Sequence, residues 1–235
     1  MMSTKKRRRS RREERDDERS MFGFMRHGGA RKGAGRKRKA VRDQVSHRTR
    51  ERVTKHQPIH VTIRLVAGVP SMRTTAAREV LENAVEGANE RGRVRIVHYS
   101  AQSNHLHMIV ESASCEAMSN GMQGLLASLG KRLNKLWRRA GRLFADRYHG
   151  VILTTPTQVR NVLAYVLKNH KRHEKRARGL DAFSSGAWFD GWREQLFDTE
   201  LARSGRRVVA SAKSWLLGTG WRKRGLISID SAPGG

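Results

Sequence analysis

Ser103-Asn104-His105-Leu106-His107-Met108-Ile109-Val110-Glu111 sets two histidines, one residue apart, into an alternating apolar run. Successive side chains of a strand point to opposite sheet faces. A strand here therefore gives His105, His107 and Ile109 one face and Leu106, Met108 and Val110 the other. The two imidazoles would stand roughly 7 Å apart at their Cα atoms, near enough to grip one metal ion from the same side. A half-buried strand whose polar face merely carries histidines has the same pattern, and His-x-His alone does not separate the two readings.

Working outward, Arg93 to Tyr99 reads as a second strand, rich in β-branched Val94, Ile96 and Val97. The polar turn Ala101-Gln102-Ser103-Asn104 joins it to the histidine strand as an antiparallel hairpin. Upstream, His60 to Val66 alternates like a strand, and Gly68-Val69-Pro70-Ser71 punctuates its end. Ala77, Val80, Leu81, Ala84, Val85 and Ala88 then recur at helical spacing, closing near Gly92. Downstream, Met118, Met122, Leu125, Leu126, Leu129, Leu133, Leu136 and Trp137 stripe a long helix. Lys131, Arg132, Lys135, Arg138 and Arg139 cover the rest of its second half, and Gly141 is the expected stop. A short strand at Val151-Ile152-Leu153 precedes Thr155-Pro156, a hydroxyl cap followed by a proline whose missing N–H is harmless at the first helical position. The order strand, helix, strand, strand, helix, strand, helix implies an α+β fold, a mostly antiparallel sheet with helices packed on it.

The formal charge of +28, from 49 Lys+Arg against 21 Asp+Glu, makes a field that draws polyanions, nucleic acid first among them. Ribosomal or chromatin-like binding is one reading of that charge. A single cysteine, Cys115, excludes an intramolecular disulfide framework and cysteine-cluster zinc sites. No apolar run is long enough to span a bilayer, and the basic N-terminus lacks a signal-peptide core, so a soluble, intracellular protein without membrane partners is expected. Residues 1–55 are strongly basic with little to pack, and disorder in the free state is expected for this arm. Its glycines would let the backbone lie close to DNA while Arg31, Lys32, Arg36, Lys37, Arg38 and Lys39 reach phosphates or the minor groove. The other reading is a solvated tail with only non-specific affinity. Neither a P-loop nor a dinucleotide fingerprint fits these glycines. In residues 179–235, Trp188, Trp192, Trp215 and Trp221 interleave with Arg and Lys. Such residues can stack on bases and pair with phosphates. They can equally glue a small appendage with little core of its own onto the main domain, the reading preferred here.

The helix after Pro156 adds a third element. Val159, Val162, Leu163, Val166 and Leu167 form its apolar stripe, and Tyr165 falls well round from it. Asn169 is one turn further on, so helical spacing gives the amide and the phenol one face. An exposed tyrosine beside a polar neighbour is the plain alternative.

Together, His105-Leu106-His107 and Tyr165-Val166-Leu167-Lys168-Asn169 resemble the motifs of the single-tyrosine HUH transposases, in particular the bacterial REP-associated tyrosine transposases. The resemblance covers about half the chain and implies a ferredoxin-like HUH catalytic domain over 56–178, flanked by the arm and the appendage. It implies single-stranded DNA cleavage and strand transfer at hairpin or REP-like sequences. Tyr165 would be the nucleophile that forms a 5′-phosphotyrosine, and His105 and His107 the ligands of Mg²⁺ or Mn²⁺. Asn169 would be the third ligand, where relatives often carry Gln; His170 or His173 are alternatives. The partners implied are single-stranded or hairpin DNA, bound by a monomer or homodimer in the nucleoid-associated cytoplasm of a bacterium. The chemistry is coherent by itself. A phenol ordinarily ionises near pH 10, roughly, so something must favour its charged form or accept its proton late, and a nearby cation does the former. Two imidazoles on one edge leave a metal open to phosphate oxygens. The competing readings are a relaxase or replication initiator, which places its tyrosine differently, and a non-catalytic basic DNA-binding regulator. A zinc hydrolase is the most distant, since no His-Glu-x-x-His frame is present and Glu111 ends a strand.

Overall fold

The computed structural model describes residues 53–173, 179–194 and 206–231, and the arm residues Arg31, Lys32, Arg36, Lys37, Arg38 and Lys39 lie outside them. The expected alternations become β1 (Ile59–Arg64), β2 (Arg95–Ala101) and β3 (His105–Glu111), joined by β4 (His149–Ile152). All pairings are antiparallel, in the order β2-β3-β1-β4. With α1 (Thr75–Glu90) between β1 and β2 and α2 (Cys115–Leu136) between β3 and β4, this is the ferredoxin-like α+β arrangement.

Alternation decides the layers. Leu106, Met108 and Val110 join Val61, Ile63, Leu81, Val85, Met122, Leu125 and Leu129 in a first core between the sheet and α1 and α2. Each such side chain contributes about 1.5–3 kcal/mol by leaving water. A one-residue slip of β3 would drive His105 and His107 into that core, so burial fixes the register that puts them on the opposite face. There, Ile109 and Val97 pack against Val159, Leu163, Val166 and Leu167 of α3 (Pro156–Leu167) in a second core. Helix α3 starts as the sequence implies. The Thr155 hydroxyl accepts from the Gln158 amide while the Gln158 side chain reaches back to the cap residue, a reciprocal capping box.

Helix α2 ends earlier than expected. Its last residue is Leu136, and the chain turns at Arg138, whose φ is 49°, rather than at Gly141. Asn134 secures the turn: its carbonyl accepts from the Arg139 amide at 2.9 Å, and its side-chain amide donates to the Gly141 carbonyl at 2.8 Å.

A bulge in β2 between Ile96 and His98 lets Val97 and His98 both face the second core. The buried His98 ring meets the Ser185 hydroxyl at 3.2 Å and Phe189 edge-on at 5.2 Å between ring centroids. Burial is the largest cause holding its pKa down at about 4, with Arg207 pushing the same way and Asp190 opposing. Above pH 6.5 the imidazole is neutral folded or unfolded. Between 6.5 and about 4 the unfolded chain takes a proton that the folded chain refuses, so stability falls as pH falls, by up to about 1.4 kcal/mol per unit. Urea unfolding at about pH 7.5 and about pH 5 is expected to show this loss, and His98→Gln is expected to reduce it. An unchanged slope in the variant would assign the acid sensitivity elsewhere.

The chain after α3 completes the second core. Trp192 and Trp221 are buried with Phe189, Leu217, Ile227 and Ile229 against the outer side of α3. Their indole N–H groups donate to the Gly186 and Leu217 carbonyls at 2.8 and 3.0 Å. A base-stacking role for these two is thereby overturned, because their faces are consumed in packing. Trp215 remains exposed, with the Lys223 ammonium 5.2 Å from its ring centroid. At Gly191 a Cβ would stand 2.2 Å from the Trp221 ring, so close approach demands glycine there. Polar ties reinforce the layer. The Lys168 ammonium donates to the Ser228 and Ser231 carbonyls, and the buried Glu111 carboxylate accepts both the Lys213 and Ser214 amides at 2.8 Å. That engagement leaves Glu111 a structural anchor rather than a hydrolase base. No helix among the described residues is long and apolar enough to cross a membrane.

Candidate active site

Register across the sheet builds the site. Ser100, His107, Thr62 and His149 form one row through β2, β3, β1 and β4, and Arg64 stands opposite His105. Paired residues share a face, so β1 delivers His60, Thr62 and Arg64 beside the two histidines of β3. The His107 Nδ1 atom lies 3.2 Å from both the Thr62 Oγ1 and the His60 Nε2 atoms. His105 Nδ1 is 2.9 Å from Asn104 Oδ1, across the turn that opens the strand. Ring centroids of His105 and His107 are 4.8 Å apart, edge to face.

Helix α3 crosses above this row and brings Tyr165 down to it. The phenol ring sits edge-on to His107 at 5.1 Å and to His60 at 5.8 Å between centroids. Its place outside the apolar stripe is what frees it for this position: Leu163, Val166 and Leu167 hold the helix down while Tyr165 stays half-buried at the border of the second core. His60, Thr62, Arg64, His105, His107 and Tyr165 line one cleft of about 860 Å³, closed on its other side by the loop after β1 and by Ala145. Burial first, and the His149 imidazole second, hold the His60 pKa down at about 4, so this ring is neutral near pH 7.

Asn169 behaves otherwise. The helix ends at Leu167 with Lys168 as its cap, so Asn169 lies past the last helical residue, and one-turn spacing no longer sets its direction. It is buried outside the cleft lining, and its Oδ1 atom has no hydrogen-bond partner among the described residues. His170 turns to Asp181, 3.8 Å from Nδ1 to Oδ2, on a carboxylate that also holds Arg73 at 3.0 Å. The His173 side chain lies outside the described residues. Among the described residues no three His, Cys, Asp or Glu side chains are grouped to hold a metal ion, so any ion gripped by the histidine pair needs a donor of another kind.

The structure thus unites His105, His107 and Tyr165 and adds His60, Thr62 and Arg64, which the sequence reading left as ordinary strand residues. Their signal was present as polar residues at alternate positions of β1. Only the β1–β3 register gives it meaning.

No protein-family model and no curated protein matches this sequence. Among solved structures, the chain is similar to that of a REP-associated tyrosine transposase bound to a REP hairpin, with a TM-score of 0.47 and 13% sequence identity. The match covers 72% of this chain and 93% of that one.

Proposed function

We propose that this protein cleaves and rejoins single-stranded DNA at hairpin-forming sequences, using Tyr165 as nucleophile and a divalent metal on His105 and His107. The observation that carries this reading is the phenol ring poised 5.1 Å from the His107 ring inside a cleft that also holds His105. The hairpin substrate comes from the resemblance of the two motifs, and the charge of +28 suits any polyanionic strand.

In the proposed reaction the Tyr165 oxygen attacks a backbone phosphorus and the bond to the 3′ oxygen breaks. The phenol proton leaves to solvent, the departing 3′ oxygen takes one up as a hydroxyl, and the 5′ phosphate stays linked to tyrosine. Attack by a 3′-hydroxyl on that ester reverses the step and joins strands without ATP, since the bond energy is conserved. Two imidazoles and an amide oxygen suit Mn²⁺ by ligand type, and Mg²⁺ by abundance. Asn169 carries a buried Oδ1 with no hydrogen-bond partner among the described residues, but it lies outside the cleft lining, so as the amide donor it would have to turn toward the histidine pair. Bound there, the ion would polarise the phosphate and stabilise charge that builds during transfer.

His60 and Thr62 serve the same arrangement from behind. With the proton on Nδ1, His107 donates to the Thr62 hydroxyl or to neutral His60 and keeps its Nε2 lone pair for the metal. Thr62→Val removes one acceptor, and calorimetry is expected to show Mn²⁺ binding weakened roughly tenfold. Equal affinity would remove Thr62 from this role.

Purified protein with Mn²⁺ and a single strand carrying the hairpin of its own flanking repeats is expected to form an SDS-resistant adduct, mapped to Tyr165 by peptide mass spectrometry. Absence of any adduct across such strands would overturn the proposal and leave the reading in which the chain binds DNA without cutting it.

A further inference from the structure

We infer that Arg64 is the substrate-phosphate clamp of this cleft: its guanidinium, opposite His105 on the sheet face shared with His107 and Tyr165, binds a phosphodiester of a single strand lying across the histidine pair. This rests on the cleft being the DNA site, and it assigns the strand a second electrostatic handle independent of metal and nucleophile.

Four observations converge. Arg64 is the cross-strand partner of His105, so the two side chains leave the same face at neighbouring positions, roughly 5 Å apart at Cβ. It lines the cleft with His60, Thr62, His105, His107 and Tyr165. Its backbone is pinned on both sides: Ala145 donates to its carbonyl at 2.9 Å, and the next residue, Leu65, donates to the Asn104 carbonyl at 2.8 Å. The base of the side chain is therefore held by the sheet, while its exposed head has no ion pair or side-chain hydrogen bond among the described residues. Arg73 and Arg95, by contrast, are taken up by Asp181 and Glu111.

The chemistry of the cleft supplies the need. The described lining residues carry no acid, so an entering phosphodiester meets the Arg64 guanidinium with no carboxylate competing for it. A guanidinium matches two phosphate oxygens with two parallel N–H groups, which fixes orientation as well as affinity. An ammonium at the same position would attract the strand without aligning it.

The test must see the cleft and not the basic arm. The full-length protein in metal-free buffer is treated with diethyl pyrocarbonate, and carbethoxylation of His105 is followed by peptide mass spectrometry while a ten-residue oligothymidylate is titrated in. The wild type is expected to show saturable protection of His105. In Arg64→Ala the protecting concentration is expected to rise roughly tenfold, measured against that variant's own rate without DNA, while an unchanged urea midpoint reports an intact fold. Arg64→Lys is expected to fall between the two. Protection of Arg64→Ala at the wild-type concentration would overturn the inference, as would no protection in the wild type. Protection that depends on Arg64 in a protein that forms no tyrosine adduct would instead sink the cleavage proposal and leave the clamp standing.

Discussion

Tyr165→Phe is expected to abolish the covalent adduct outright, with a loss on the order of 10⁴-fold or more in strand cleavage, while DNA binding at low salt stays within about twofold. The substitution removes the attacking oxygen and little else. The ring is half-buried at the edge of the second core, and phenylalanine keeps its packing against α3's neighbours and the His60 and His107 edges. A stability change beyond about 1 kcal/mol is not expected from one hydroxyl at such a border. The other two tyrosines offer no substitute. Tyr99 is buried in the first core, donates to Glu82 at 3.1 Å, and has its pKa pushed up by burial first and by the Glu82 charge second. Tyr148 is buried in the same core, on the sheet face opposite the histidines. An adduct that persists in Tyr165→Phe would require one of these to turn out of the core. That outcome would defeat the assignment of the cleft as the active centre.

What the sequence made legible follows the range of each physical signal. Period-two alternation in β3 is local, and its outcome, His105 and His107 on one face and Leu106, Met108 and Val110 in the core, follows from strand geometry once burial selects a register. The α3 start was equally local, since a threonine cap, a proline and Gln158 carry it within four residues. Pairing between β1 and β3 is not local, so the value of His60, Thr62 and Arg64 lay hidden in a strand whose neighbour was unknown. The β2 bulge shifts Val97 and His98 to one side through a single unpaired residue, which alternation cannot anticipate. Tryptophan burial depended on which surface α3 left uncovered. The end of α3 shows the converse error: Tyr165 and Asn169 have helical spacing in sequence, but the helix stops at Leu167, and Lys168 is drawn away to the carbonyls of Ser228 and Ser231.

His105→Ala is expected to eliminate metal-dependent cleavage at every Mn²⁺ concentration below the millimolar range, because a lone imidazole holds a divalent ion weakly. Removing this side chain should cost the fold little. His105 is half-buried at the first position of β3, and its Nδ1 contact is to the adjacent Asn104. His107→Ala is expected to remove cleavage as well but to destabilise the protein, since the ring is buried and its loss leaves Thr62 and His60 facing a cavity. Comparing the two separates ligation from folding. Calorimetric Mn²⁺ titration should show saturable binding in the wild type and none in either variant, and urea unfolding should shift for His107→Ala alone. Fluorescence anisotropy with a labelled single strand should show His105→Ala binding almost as tightly as the wild type, with the same steep weakening as salt rises, because phosphate contacts across a chain of charge +28 do not need the ion. Cleavage by His105→Ala at the wild-type rate in equal Mn²⁺ would place the metal elsewhere. DNA binding lost together with cleavage would mean instead that the metal bridges protein and strand, and that the electrostatic field by itself does not hold DNA in the cleft.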